Sequence, residues 1–204
     1  MGNTSSDIFD VAAQGNESKV VEILEEDPKT LENISDVRDS LQRTPLHIAA
    51  ANGYTNLCIK LIDKGISKEC RNSDGVTPLN TALWNKQKDT AKALIKIGCN
   101  VKSENKFGHQ PMHFAVRAGF TDIIDLLIKN GANPKVIAKT GRTPLHDACY
   151  YGKVNAIKAL VELGKLSPND MSKEDANGDT PLTLSFTREN MDCAVTIIKL
   201  GADV

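Results

Sequence analysis

Apolar residues in this chain come in short clusters that return at a fixed interval. In one cycle Leu46, Ala49 and Ala50 lead to Gly53, and Leu57, Leu61 and Ile62 then lead to Gly65. This pattern predicts two short helices. Small Ala49 and Ala50 permit close helix packing, and each glycine ends a helix where a left-handed residue costs least. Thr44 can accept hydrogen bonds from the free N–H groups of the first helix start, and Pro45 sits where a missing N–H is harmless. Polar residues and a turn at Asn72-Ser73-Asp74-Gly75 close the cycle. One helix–turn–helix–hairpin unit cannot bury its own apolar face, so neighbours must stack.

The cycle is read most directly from a tetrapeptide. Thr44-Pro45-Leu46-His47 returns as Thr77-Pro78-Leu79-Asn80, Gln110-Pro111-Met112-His113, Thr143-Pro144-Leu145-His146 and Thr180-Pro181-Leu182-Thr183. The prolines lie 33, 33, 33 and 37 residues apart, and a glycine follows each by twenty positions, at Gly65, Gly98, Gly131, Gly164 and Gly201. Self-similarity at this period predicts a solenoid of stacked units rather than one globular core.

These residues resemble the ankyrin repeat family. A sixth, degenerate copy precedes the five: aligning Asp7 with Thr44 sets Phe9, Val11, Ala12, Ala13, Val20, Val21, Ile23 and Leu24 on apolar positions, with Asn16 in place of the mid-repeat glycine and Pro28 in place of the terminal one. The resemblance implies an all-α repeat fold, an α–α solenoid with short β-hairpin fingers. It forms a single domain over 7–204, with repeats starting near 7, 44, 77, 110, 143 and 180. Residues 1–6 are expected to be a disordered start.

Function follows from the same resemblance. It implies a non-enzymatic, monomeric protein–protein interaction module, acting as an intracellular adaptor, scaffold or inhibitor through the concave groove lined by fingers and inner helices. Carried over by position, the partner-binding residues are Arg43, Trp84, Phe107, His109, Arg117, Arg142, Tyr150 and Tyr151. Trp, Tyr and Arg dominate interface hot spots. The arginines suit bidentate contacts to carboxylates or phosphates, so the expected partner surface is acidic and partly apolar. The competing expectation is that Trp84 and Tyr150 fill space between helices.

Charge and cysteines place this expectation in a setting. The chain has 204 residues and a net charge of −1, split between −7 over residues 1–40 and +6 over 41–204. The acidic start reads as a solvated cap, or as a field that steers an acidic partner toward the basic middle. Five dispersed cysteines, Cys58, Cys70, Cys99, Cys149 and Cys193, suit packing as reduced thiols. With no secretory signal and no apolar run near the ~20 residues needed to span a bilayer, the expected compartment is the cytoplasm, or the nucleus.

Other chemistries find little support. His109-x3-His113 and His146-x2-Cys149 have spacings zinc could use. By the resemblance, however, His47, His113 and His146 tie neighbouring repeats together, so neither metal nor cofactor is expected. No phosphate loop or nucleophile elbow appears, and the dispersed basic residues lack a nucleic-acid module signature, leaving a nucleic-acid-associated regulator as the weakest alternative. Met1-Gly2-Asn3-Thr4-Ser5-Ser6 fits an N-myristoylation signal. The second expectation is therefore a membrane-tethered scaffold lipidated at Gly2, although one such chain binds membranes only marginally.

Departures from the pattern carry expectations of their own. Asn80 and Thr183 replace the tetrapeptide histidine, Lys86 replaces a mid-repeat glycine, and Gln110 replaces a capping threonine. Insertions lengthen the connections around Thr30–Gln42 and Lys165–Ala176. The second, with Ser167-Pro168-Asn169-Asp170, is expected to project as an enlarged finger. The last helix, with Val195, Ile197, Ile198 and Leu200, lacks an evident polar outer face.

Overall fold

The computed structural model describes residues 4–26 and 37–203. Gly2, Pro28 and the first part of the Thr30–Gln42 connection lie outside them. The chain resolves into two compact units, Met1–Asn100 and Val101–Val204. Among the described residues the regular elements are helices, and no strand is present.

The first unit holds three helix pairs: α1 (Thr4–Ala13) with α2 (Glu17–Glu26), α3 (Pro45–Asn52) with α4 (Thr55–Asp63), and α5 (Pro78–Trp84) with α6 (Lys88–Lys96). The inner helices α1, α3 and α5 stack in order, and the outer helix α4 packs on α6. Ile8, Leu24, Leu46, Leu57, Leu61, Leu79, Leu83 and Leu94 are buried between them. Each such side chain contributes roughly 1.5–3 kcal/mol relative to exposure.

The second unit repeats the plan: α7 (Pro111–Ala118) with α8 (Thr121–Lys129), α9 (Pro144–Tyr150) with α10 (Val154–Gly164), a single turn α11 (Pro168–Met171), and α12 (Pro181–Thr187) with α13 (Met191–Lys199). Inner helices α7, α9 and α12 stack through Met112, Leu145 and Ala148; outer helices α8, α10 and α13 stack through Ile123, Leu127, Ile157, Leu160 and Ile197. All five cysteines are buried free thiols. Burial pushes the thiols of Cys58 and Cys99 up to about 12, which leaves them protonated and inert.

Two expectations are corrected. In α1 the apolar register lies one residue earlier than aligned: Ile8 is buried and Phe9 only half-buried, and Gly15 rather than Asn16 takes the left-handed turn. Asn16 instead caps α2, its Oδ1 accepting from Lys19 N at 3.1 Å. Val20 and Leu24 are buried as expected.

The fingers, in turn, are five-residue turns and not β-hairpins. Each is closed by a wide backbone bond, Asp39 N to Arg43 O, Asn72 N to Val76 O, Asn105 N to His109 O, Ala138 N to Arg142 O or Asp175 N to Asp179 O, and by a tighter one from the N–H of its fourth residue to the carbonyl of its first. In four of them the first side chain accepts two further N–H groups, as Asn105 Oδ1 does from Phe107 and His109 at 2.9 Å each. Donors used this way are unavailable for a ladder, and neighbouring fingers share only single bonds: Ser73 N to Leu41 O, Lys139 N to Phe107 O, Ala176 N to Thr140 O. Glycine permits that close stacking. A Cβ on Gly108 would lie 2.8 Å from Lys139 N, and one on Gly141 2.6 Å from Ala176 N.

Candidate functional site

Each inner helix starts with a histidine or its replacement, and the histidine geometry is the same wherever it occurs. Nδ1 of His47, His113 and His146 accepts from the backbone N–H of Thr44, Gln110 and Thr143, each at 3.1 Å. The proton therefore sits on Nε2, which donates to the next finger at Val76 O (2.9 Å), Arg142 O (3.3 Å) and Asp179 O (3.1 Å). Both ring nitrogens are committed, one to its own repeat and one to the next, and neither is left for a metal. Burial holds His47 down at about 4 and His113 at about 3, and lowers His146 as well.

Unit 2 carries a polar network along its inner helices. The buried Asp147, on α9, receives Arg117 of α7 in bidentate fashion, Nε to Oδ2 at 3.0 Å and Nη2 to Oδ1 at 3.2 Å. The same Nη2 donates to His109 Nε2 at 2.7 Å. The guanidinium also lies 5.8 Å from the Phe114 ring centre and 5.7 Å from that of Tyr151. One repeat further on, Arg142 Nε donates to the buried Asp175 Oδ2 at 3.0 Å and stands 4.9 Å from the Tyr150 ring centre. Arg188 stacks on Tyr150 at 4.0 Å and donates to its hydroxyl, and Tyr150 meets Tyr151 edge-on with ring centres 4.9 Å apart. Cationic groups over aromatic faces are attracted by the ring quadrupole.

The expected binding residues therefore divide into two kinds. Arg117 and Arg142 spend their guanidinium groups on carboxylates of their own unit, and Arg43 turns back on Asp39 of its own finger at 2.7 Å. His109, whose side chain burial and Arg117 hold at about 4, is a neutral acceptor inside the network. Tyr150 is half-buried beneath two guanidinium groups. The outward residues are Trp84 (60 % exposed) in unit 1, and Phe107 (56 %) and Tyr151 (43 %) in unit 2. Phe107 is a finger tip, while Trp84 and Tyr151 close inner helices.

Sequence reasoning missed Asp147 and Asp175, the residues that orient this network. Asp147 had a visible signal: it occupies a place where the other repeats carry Ile48, Thr81, Phe114 and Leu184. A lone carboxylate at such a position needs a partner from the neighbouring inner helix. The acidic start also changes meaning, since Glu17 and Glu25 pair with Lys60 of α4 and with Lys64, which caps its end, at 2.7 Å each.

Comparison with known families agrees with this architecture. The profile described as ankyrin repeats (3 copies) matches residues 8–105 and 97–171, and that described as ankyrin repeats (many copies) matches 145–198. Among curated proteins, none matches the chain. No helix of the described residues is long and apolar enough to cross a membrane. Ankyrin repeats are in general protein–protein interaction modules. With matching profiles, stacked helix pairs and the histidine ties all on one register, the chain belongs to the ankyrin repeat family.

Proposed function

We propose that the chain is a non-catalytic binding platform that recognises a partner protein through the exposed aromatic residues of its finger and inner-helix faces. One observation carries this reading. Among the described residues, the exposed large aromatic side chains, Trp84, Phe107, Tyr151 and Phe186, all lie on inner helices, their ends or a finger, whereas the exposed large hydrophobic side chains of the outer helices are not aromatic. Aromatic side chains of this kind bring large contact area at little ordering cost.

Lys106 and Lys139 are exposed on neighbouring fingers beside Phe107, while Asp147 and Asp175 are buried and paired. The charge presented outward by these fingers is positive, which suits a partner surface that is acidic and partly apolar. Arg117, Arg142 and His109 then act beneath that surface, fixing the fingers and inner helices on which its contact residues sit, and Arg43 braces its own finger through Asp39. Adaptor, scaffold and inhibitor roles all use such a preorganised face.

Capture from lysate by the wild-type chain, by Trp84→Ala/Phe107→Ala/Tyr151→Ala and by Lys158→Ala on the outer helix α10 tests the reading. A dominant partner should lose about tenfold or more of its binding to the triple variant, the size of a hot-spot loss, and none to Lys158→Ala. Equal capture by all three chains, with helicity unchanged, would overturn it.

A further inference from the structure

Five Ser/Thr-Pro pairs occur in this chain: Thr44-Pro45, Thr77-Pro78, Thr143-Pro144, Ser167-Pro168 and Thr180-Pro181. Four of these hydroxyls cap inner helices, and the fold hides them. Thr44, Thr77 and Thr143 are buried, and Thr180 is half-buried. Ser167 is different. It is exposed, as are Pro168 and Asn169 after it, and its backbone is extended, with φ −82° and ψ 164°. It lies in the connection that breaks the 33-residue period.

Ser167 is also the hinge of a small charged latch. Asp170 Oδ2 receives three donors: Ser167 Oγ at 2.6 Å, Ser167 N at 2.8 Å and Lys135 Nζ at 2.6 Å, the last reaching from the loop after α8. Ser167 Oγ in turn accepts from Asp170 N at 3.3 Å, and Met171, buried at the end of this turn, anchors it. Lys173 lines the same hollow with Pro134, Lys135, Thr143 and Leu166. With Lys135 and the two Ser167 donors upon it, the Asp170 carboxyl is held down at about 2 and is ionised at neutral pH.

We propose that Ser167 is a phosphorylation site, modified by a protein kinase that reads Ser/Thr-Pro, and that the phosphate opens the Ser167–Asp170–Lys135 latch. Ser167 Oγ attacks the terminal phosphorus of a nucleoside triphosphate. The Oγ–P bond forms, and the bond from that phosphorus to its bridging oxygen breaks, its electron pair leaving with the nucleoside diphosphate. The hydroxyl proton passes to a base of the kinase. The modified residue loses its donor to Asp170 and sets a charge of about −1.5 to −2 beside that carboxylate. Lys135, and Lys173 lining the same hollow, re-pair with the phosphate, so Asp170 is expelled and α11 loses its cap. This device is independent of the aromatic binding face.

The full chain is incubated with a Ser/Thr-Pro-directed kinase and ATP, and phosphopeptides are read by mass spectrometry. Ser167 should carry the phosphate, and Ser167→Ala should lose about nine-tenths of the uptake, since the other sites are buried or half-buried helix caps. Equal uptake by Ser167→Ala overturns the assignment, as does no uptake by the chain, whether or not a 163–173 peptide is modified. Amide exchange then tests the latch. Phosphorylation should speed exchange at Asp170, Met171 and Ser172 about tenfold or more through like-charge repulsion. The same phosphate on Asp170→Asn, where that repulsion is absent, should leave exchange slow. Unchanged exchange in the wild-type chain, or equal acceleration in Asp170→Asn, overturns the latch.

Discussion

Arg117–Asp147 and Arg142–Asp175 are the same pair of residue types, in the same unit, one repeat apart, and the two carboxyls behave in opposite ways. Burial pushes Asp147 up to about 6, and the pull of Arg117 does not offset it. Burial acts on Asp175 in the same sense, but Arg142 and the backbone N–H groups of Asn177 and Asp179 outweigh it, and the carboxyl falls below its ordinary range. The difference lies in the element beneath. Asp147 sits within α9, where backbone donors are already used by the helix, so Arg117 is the partner that carries its charge. Asp175 opens a finger turn whose free N–H groups point at its carboxylate. A buried ion pair is only as favourable as the hydrogen bonds that complete it.

Acidification should produce the largest effect, because it sets Asp147 against the histidines. His47, His109 and His113 titrate in the folded chain at about 4, 4 and 3, below the ordinary 6.5. The unfolded chain therefore binds more protons between these values, and the stability they contribute is present above pH 6.5 and lost as pH falls toward 4. Asp147, raised, works the other way and gains stability between pH 6 and its ordinary 3.8. The histidines are more numerous, so urea unfolding should show a net loss of about 3 kcal/mol or more from pH 7 to 4.5, each tenfold change in a group's proton affinity on folding being worth about 1.4 kcal/mol. Stability that rises over this interval would mean the histidine ties are weaker than the geometry implies.

Arg117→Ala comes next. At pH 7 it strands a buried carboxylate and should cost about 3 kcal/mol in urea unfolding, in the range for breaking a buried pair. The comparison between the two pairs gives this loss a pH signature. Asp147 is mostly protonated at pH 5, so little charge remains to strand, and the difference from wild type should shrink to about half or less. A difference that stays constant from pH 7 to 5 would assign the cost to lost packing on Phe114 and Tyr151 instead.

Much of this architecture was legible from the chain alone, for a definite reason. The tetrapeptide, the glycines and the small residues act within one repeat, so each copy restates the local rule, and His47, His113 and His146 could be assigned from a single position. The degenerate first repeat misled by one residue because Gly15 and Asn16 are both turn formers, and only packing shows which takes the left-handed place. The arginines were harder still. Arg117 occupies the same outward position in its repeat as Trp84, and Arg142 the same as Arg43, yet Asp147 and Asp175 lie 30 and 33 residues from their arginines and meet them only when repeats stack. A charge one period away from an opposite charge is the signal that would have found Arg142 and Asp175.

Arg142→Ala sharpens the contrast most finely, because the smaller effect is the informative one. Removing this side chain leaves Asp175 with two backbone donors at 2.8 and 3.2 Å, so its charge is not stranded. The loss at pH 7 should be about 1–2 kcal/mol, that of a hydrogen bond to a charged group, with a contribution from the Tyr150 face. In the variant the Asn177 and Asp179 N–H groups still favour the ionised form of Asp175, so the difference from wild type should be the same at pH 7 and pH 5. His113 donates to the backbone carbonyl of residue 142, which the substitution leaves in place. A loss as large as that of Arg117→Ala, and equally sensitive to pH, would show that the finger donors do not hold the Asp175 charge and that the two pairs are alike after all.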